Sequence, residues 1–304
     1  YGLTFWVLQQ GEQCEWLLNY RGGSFLLPDG DAIVREANIR GVTIEPCPGS
    51  AEASIRATIA DENMESVKLE KVPKVAVYIP PNAPPWDDAV TLAMDYAQIP
   101  YERVWDEEVL RGDLPKYDWL HLHHEDFTGQ YGKFYRQFHN AAWYQDQVRE
   151  SEAMAAELGF AKVSQMKGAV ANTIRDYVAG GGYLFTMCSG TDSYDIALAA
   201  TGVDICATEF DHDPVDPQCQ EKLDYSRGFA FKDYHLITDP MVYEFSDIDA
   251  TDIHNTIGET RDFFTLFEFS AKWDVIPSML CQDHEQVVHG FMGQTTAFRK
   301  SLVK

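Results

Sequence analysis

The chain has 304 residues, of which 45% are hydrophobic, and its 48 acidic and 24 basic residues give a formal charge of −24. This apolar fraction is sufficient for a sizeable core, in one large α/β domain or in two smaller ones. The acidic balance opposes the phosphate neutralisation on which nucleic-acid binding depends, and it disfavours anionic membranes. No run approaches the roughly 20 apolar residues of a membrane helix. We therefore expect neither a nucleic-acid partner nor a membrane span.

The six cysteines are scattered without a CxxC pair, which argues against a zinc ribbon or a thioredoxin motif. We interpret most of them as free thiols in or near the core, although an even number permits disulfides if the protein is exported. The chain opens at Tyr1 within an apolar helix, so we expect residues upstream, with a signal peptide among the candidates. Homo-oligomerisation is left open.

Helical and strand patterns alternate over the first part of the chain. We predict a helix to Gln10, a strand over 14–19, a helix over 31–40, a strand over 42–45 and a helix from Ser50. We interpret 1–72 as an N-terminal α/β segment, packed on the main sheet or forming a small subdomain.

Residues 73–304 predict an α/β domain. Strands are predicted over 74–79, 101–105, 117–122 and 183–187, and helices over 86–97, 106–110 and about 166–179. The aromatic-rich insertion 127–160 is either a lid over a pocket or an exposed helical segment whose rings pack locally. Six further segments predict a mixed or antiparallel edge: 204–208, 228–231, 234–237, 264–269, 275–280 and 287–292.

Cys188 lies at a predicted strand-to-helix turn, after a short apolar strand and before a helix over about 194–200, with 189–193 as the turn and N-cap. In an open α/β sheet, ligands bind at the carboxyl ends of strands. A following helix N-terminus lowers a thiol pKa and offers N–H groups to an oxyanion. We interpret Cys188 as a candidate nucleophile, with Ser189 and Gly190 as candidate oxyanion donors. The alternative is a cysteine that only packs in the core.

A run of three histidines and two acidic residues ends the strand over 117–122, which a right-handed connection places beside the Cys188 strand. In one interpretation, His124 or Glu125 is the base or orienter that activates the thiol. In a second, His121 and His123, which share one face of the strand, contribute to a divalent metal site. In a third, these two histidines are hydrogen-bonded core residues and the acidic residues cap the next segment.

The acidic loop 211–217, which contains two prolines, offers oxygen atoms of the kind that hold calcium. It lacks the ligand spacing and the bidentate glutamate of an EF-hand. A solvated loop is the simpler interpretation.

The succession of helix, glycines, apolar strand, Cys-x-Gly and helix resembles the class I glutamine amidotransferase-like superfamily. Its nucleophile elbow usually has the pattern Gly-x-Cys-x-Gly, whereas this chain has Thr186-Met187-Cys188-Ser189-Gly190. The resemblance implies a doubly wound, mostly parallel, flavodoxin-like sheet with extra strands near the C-terminus. The family's His-x-Glu comes late in the chain, where the nearest candidates are His284, which is followed directly by Glu285, and His289, and neither matches the motif.

The segments 16–25, 117–132 and 290–296 are similar to a bacterial family of uncharacterised proteins often labelled asparagine synthetase B. That label rests on Ser-Gly-Thr-Asp-Ser at 189–193, one residue shorter than the phosphate loop of ATP pyrophosphatases. The resemblance implies a bacterial protein and favours export to the periplasm over the cytoplasm. It brings no cofactor and no established reaction.

These observations lead to two main hypotheses. The first is an amidotransferase-like cysteine hydrolase or transferase for a small polar amide or acyl substrate, with Cys188 as nucleophile, His124 as base and Glu125 as orienter. The second is a non-catalytic protein that binds a small molecule on the same fold, with Arg21 available to a carboxylate or phosphate. A weaker alternative is ATP-dependent asparagine synthetase-type activity.

Overall fold

The computed structural model describes residues 1–83, 89–249, 263–265, 287–289 and 298–304. The chain divides into two compact units. The N-terminal unit comprises Tyr1–Lys74 with Thr91–Tyr101, and the main unit comprises Val75–Val90 with Glu102–Lys304. None of the described helices combines the length and hydropathy needed to cross a bilayer.

The N-terminal unit is built on a three-stranded antiparallel sheet with the order β2-β1-β3. The apolar helix α1 buries Leu3, Phe5 and Val7, because its sequence is hydrophobic on nearly every side. The elements are α1 (Gly2–Gln9), β1 (Cys14–Leu18), β2 (Ser24–Leu26), α2 (Asp31–Ile39), α3 (Gly49–Asp61), β3 (Glu65–Leu69) and α4 (Ala89–Ala97).

The strand predicted over 42–45 is wrong, and two strands of this unit, β2 and β3, were not predicted. Both edges of β1 are occupied, since Trp16 lies opposite Phe25 of β2 and Val67 of β3. The segment after α2 therefore has no place in the ladder, and its apolar side chains Val42 and Ile44 are exposed. A β-prone sequence becomes a strand only where a neighbouring strand supplies hydrogen bonds and packing.

The main unit is an α/β fold with a four-stranded parallel sheet in the order β5-β4-β6-β7. Strand β4, the first strand of this sheet along the chain, thus lies between β5 and β6, the second and the third. Strand β6 pairs with β7 in parallel, with Leu120 opposite Leu184, so the expected adjacency of these two strands is found. The strands are β4 (Val75–Tyr78), β5 (Tyr101–Val104), β6 (Trp119–Leu122) and β7 (Tyr183–Thr186).

The core of the main unit lies between this sheet and three helices, α5 (Asp106–Leu110), α8 (Val163–Ala179) and α9 (Ser189–Ala199). Helix α8 presents Val170 and Ile174 to the sheet, with helical spacing, and β6 presents Leu120 and Leu122. Each of these side chains is fully buried, and burial of such a residue contributes about 1.5–3 kcal/mol. The core thereby fixes the position of the segments that follow β6 and β7.

Two expectations about the Cys188 region need correction. Strand β7 is not buried on both faces: it is the outermost strand of the sheet within the described residues, and Tyr183 and Phe185 are 60% and 43% exposed. The predicted turn over 189–193 is the first turn of α9, because the helix begins directly after Cys188. Serine, glycine and aspartate are tolerated there because a first helical turn favours short polar side chains.

The insertion contains two helices, α6 (Tyr135–Phe138) and α7 (Ala142–Glu157). Its aromatic rings pack against one another and against Phe210, with Phe138 and Trp143 centroids 5.1 Å apart. The rings pack locally, as in the second interpretation, but the segment is not simply exposed, because Tyr131 and Tyr144 are 5% and 4% exposed.

The strand predicted over 204–208 is wrong. The segment is irregular and leads into α10 (Thr208–Asp211), and the Asp204 carboxylate accepts the Cys206 N–H, which replaces a ladder bond. The segments 228–231 and 234–237 contribute only isolated antiparallel bridges. Strands β8 (Phe263–Thr265) and β9 (Val287–His289) pair in antiparallel fashion, as predicted for this part of the chain. The predicted strand over 275–280 lies outside the described residues.

Candidate functional site

Cys188 occupies the turn between β7 and α9 with φ 52° and ψ −145°. This combination is sterically costly for any residue with a side chain and is normally left to glycine. Such backbone strain costs on the order of 1–3 kcal/mol and persists only where the surroundings enforce it. It is also the conformation of a nucleophile elbow, which raises a side chain above the carboxyl edge of a sheet.

Three hydrogen bonds tie this turn to the segment after β6. The Gly190 N–H donates to the His123 carbonyl (2.9 Å), the Met187 N–H to the Leu122 carbonyl (3.1 Å) and the Ser189 hydroxyl to the His124 carbonyl (3.0 Å). A Cβ atom on Gly190 would approach the His123 oxygen more closely than 3.0 Å, a separation that real Cβ atoms essentially never show. The glycine of the Cys-x-Gly pattern is therefore required by a close backbone approach.

The pKa of the Cys188 thiol is raised above its ordinary value, chiefly by burial. The Ser189 N–H and hydroxyl stabilise the thiolate, whereas the nearby carboxyl groups of Asp192 and Asp249 disfavour it. The sequence predicted a lowered pKa at the helix N-terminus. That expectation is wrong, because desolvation and two acidic neighbours together outweigh the two hydrogen bonds from Ser189.

The His124 ring hydrogen-bonds to the ring of its neighbour, with 3.2 Å between the two Nδ1 atoms. One of these nitrogens donates and the other accepts, so the pair is compatible with at most one imidazolium charge. Within the described part of the chain, the His124 ring forms no hydrogen bond with Cys188. The structure therefore places His124 beside the turn, through its carbonyl and Ser189, without the predicted contact between thiol and imidazole.

Glu125 is buried, 6% exposed, on the same loop. Its Oε2 accepts the His123 N–H (3.1 Å), and its Oε1 has no hydrogen-bond partner among the described residues. Burial raises the pKa of this carboxyl, and the neighbouring histidines oppose the rise. Ser193 of α9 donates to the Glu125 carbonyl (3.0 Å). Glu125 thus holds the loop backbone and forms no hydrogen bond with the His124 ring.

Asp192 is the residue that the sequence interpretation missed. It lies four residues after Cys188 in α9, is 1% exposed, and its pKa is raised to about 8 by burial and by Asp249. Tyr243 interacts electrostatically with Cys188, Asp192 and Asp249, and its pKa is also raised, chiefly by burial. The available signal was its place in the chain, because an acidic residue in the first turn of the helix that follows Cys188 stays close to the turn that carries the thiol.

His121 is a buried residue of β6, stacked on Phe185 with ring centroids 5.4 Å apart and edge-on to Trp119. In the sheet, His121 therefore packs between aromatic side chains as another aromatic residue would. Among the described residues, the one cluster of metal-ligating side chains consists of Asp204, Cys206 and Asp211, and it does not include His121 or His123.

A lysine neutralises that acidic cluster. The Lys162 ammonium lies 2.6 Å from Asp204, 3.1 Å from Asp211 and 2.5 Å from Asp213. Farther along the same loop, Lys222 lies 2.5 Å from Asp216. Lysine ammonium groups thus occupy the positions at which calcium would have to bind these carboxylates. The ion pairs agree with the interpretation of 211–217 as a solvated loop.

The remaining candidates lie elsewhere. Arg21 belongs to the N-terminal unit, where it is exposed and pairs with the exposed Glu45 at 3.4 Å. His284, the alternative base, lies outside the described residues.

The chain is an α/β protein with a four-stranded parallel sheet. None of the family models, curated proteins or solved structures matches the chain, so no superfamily is identified by comparison.

Proposed function

We propose that the main unit has a doubly wound, flavodoxin-like fold of the class I glutamine amidotransferase-like type, and that it is a cysteine-dependent hydrolase or transferase. Its substrate would be a small polar amide or acyl compound. The strand order β5-β4-β6-β7 is compatible with this fold. One observation carries the activity: Cys188, φ 52° and ψ −145°, stands in a strained turn between strand and helix. A cysteine that only packs in the core does not need such a strained backbone conformation.

In the proposed reaction the Cys188 sulfur adds to the carbonyl carbon, and its proton passes to His124. The tetrahedral oxyanion faces the N-terminus of α9. The Ser189 N–H serves as donor, because the Gly190 N–H is already bonded to the His123 carbonyl. The amine leaves with the proton from His124. Water, or an acceptor amine in a transferase, then attacks the thioester and restores the thiol.

His124 is suited to the role of base because its ring is exposed and its backbone is held at the turn through Ser189. Rotation of an exposed side chain is inexpensive, and catalytic hydrogen bonds often form only when substrate is bound. In this proposal Glu125 is a positioning residue, since its carboxylate accepts the His123 N–H and so shapes the loop that carries His124.

A second candidate function is non-catalytic binding of a small molecule at the same turn. The raised pKa of the Cys188 thiol favours it, because a protonated thiol is a poor nucleophile. Residues 189–193 do not support ATP-dependent chemistry. Residues 189–193 form a helical turn in which Asp192 and Ser193 are buried, so they do not form a loop open to pyrophosphate.

The rate of Cys188 alkylation by iodoacetamide against pH, followed by mass spectrometry, separates the two functions. Cys47, half-buried in the N-terminal unit, serves as the reference thiol in the same sample. Catalysis predicts that His124→Ala slows alkylation of Cys188 about tenfold or more below pH 8, while the exposed His139→Ala leaves the rate unchanged. An equal rate in wild type and His124→Ala would refute the role of His124 and favour binding.

A further inference from the structure

The outer edge of β7 is open within the described part of the chain, because no strand there pairs with it on the side away from β6. The Tyr183 N–H donates to the Asp118 carbonyl (3.0 Å), so the backbone of Tyr183 is directed toward β6. Successive residues of a strand alternate in direction, and the N–H and C=O groups of Leu184 and Thr186 therefore face outward. An open row of such groups is a template for another strand.

The sequence does not protect this edge. Natural sheets block an open edge with lysine, proline, a bulge or an inward-pointing charge. Residues 182–187, Gly-Tyr-Leu-Phe-Thr-Met, contain neither proline nor any charged side chain. Strand β7 also keeps a regular parallel register with β6 over all its residues, without a bulge. An uncharged edge of this kind favours association with a further strand.

Apolar side chains border the edge on the face of the sheet opposite α8 and α9. Tyr183, Phe185 and Met187 are 60%, 43% and 39% exposed. They share one face because they alternate with Leu184, whose side chain packs on the core. We call these three residues the exposed row. A group of large apolar side chains along an open strand edge marks an interaction surface.

A cavity of about 340 Å³ lies along the same edge, on the core side of the sheet. Its walls include Leu184 and Thr186 of β7, Tyr194 of α9 and the segment 229–230. The Asp195 carboxylate accepts both backbone N–H groups of that segment and so holds the far wall in place. A strand added to β7 would direct every second side chain toward this cavity, and the others would lie beside the exposed row.

Charge and size distinguish the two occupants that a strand edge accepts, a second copy of the chain and an extended peptide. The formal charge of −24 makes two copies repel each other, whereas it attracts a basic segment. The exposed parts of the row and of Phe229, which is 46% exposed, amount to on the order of 400 Å². A stable protein–protein interface buries roughly 800 Å² on each partner. Both points favour an extended, basic peptide.

We propose that β7 binds an extended peptide segment of a partner protein by strand addition, and that this segment has apolar side chains at alternate positions and lysine or arginine at its ends. The outward backbone groups of Leu184 and Thr186 supply the hydrogen bonds. The cavity takes one large apolar side chain, and the exposed row packs against the side chains on the other face. Binding of this kind needs no reaction at Cys188 and goes beyond the proposed function.

The test is fluorescence polarisation with the labelled peptide KKTVFVTKK, whose phenylalanine and valines lie on opposite faces of an extended chain. We expect a Kd below about 100 μM at about 50 mM salt, where long-range attraction is only weakly screened. The acidic counterpart EETVFVTEE should bind at least about tenfold more weakly. Backbone N-methylation either of the two valines or of the three residues between the lysine pairs that alternate with them blocks one edge of the peptide at a time. One methylated set should abolish binding, and the other should retain it, since only one edge of the peptide faces β7.

Tyr183→Ala should weaken binding of KKTVFVTKK about fivefold or more, because it shortens the exposed row. Tyr96→Ala, at a tyrosine of α4 that is 70% exposed, is the matched control and should leave the Kd unchanged. The methylated peptides test the same contact without altering the protein. No binding up to about 1 mM, or equal effects of the two methylated sets, would overturn strand addition. A concentration-dependent dimer in sedimentation velocity that Tyr183→Ala dissociates would also overturn the proposal, because a second copy would then occupy the edge.

Discussion

Gly190→Ala tests whether the turn at Cys188 is held by the close approach of two backbone segments. The added Cβ would overlap the His123 carbonyl oxygen, so the backbone must move and the 2.9 Å hydrogen bond from the Gly190 N–H must lengthen or break. Overpacking of this kind costs about 1–3 kcal/mol, and loss of one hydrogen bond adds about 0.5–1.5 kcal/mol. We expect a total loss of about 2–4 kcal/mol.

Thermal unfolding followed by circular dichroism measures the effect. For a unit of about 200 residues, each kcal/mol shifts Tm by roughly 2–4 °C, so we expect a decrease of about 5–10 °C. Gly168→Ala is the matched control, because this glycine lies inside α8 with open space where its Cβ would go. There the alanine should stabilise the helix by up to about 1 kcal/mol. An unchanged Tm for Gly190→Ala would refute the steric reasoning.

Three further predictions concern buried charges of the main unit. Asp195→Ala removes the acceptor of three backbone N–H groups and should lower stability by about 3 kcal/mol in urea unfolding, whereas Asp224→Ala should cost under about 1 kcal/mol. Lys167→Met should lower the free energy of unfolding by about 3–5 kcal/mol, because Asp106, which lies 2.8 Å from the ammonium, stays buried without its cation. The double variant Lys167→Met with Asp106→Asn should recover much of that loss. Losses that simply add in the double variant would contradict this reasoning. Asp192 holds its proton in the folded protein up to about pH 8 but releases it near pH 4 when unfolded, so it lowers stability progressively between those values. Asp192→Asn should match the wild-type Tm at pH 4 and exceed it at pH 8; parallel pH profiles would show that Asp192 ionises normally.

The elements of the main sheet were predictable because their signals are local. Apolar runs such as 74–79 and 117–122 need burial on both sides, and the glycines at 180–182 end a helix whose apolar residues recur with helical spacing. The position of Cys188 between a strand and a helix followed from the same patterns. The pairing of β6 with β7 followed from the handedness of parallel connections.

The pairing of the N-terminal unit was not predictable, since β2 and β3 are strands only because β1 lies beside them. The same limit applies to the electrostatics of the site. The pKa of Cys188 depends on its burial and on Asp249, a residue 61 positions away in sequence, and neither is encoded in the local Cys-x-Gly pattern.

The sequence by itself thus determined where a nucleophile can stand: a cysteine, with a glycine two residues later, between a buried-type strand and a helix. Tertiary structure alone decided the chemical environment of that cysteine. It placed the Gly190 N–H on the His123 carbonyl and brought the Asp192 and Asp249 carboxyls to the thiol. The physical reason is that secondary structure follows from neighbours in sequence, whereas desolvation and charge–charge interactions depend on distances that only the folded chain defines.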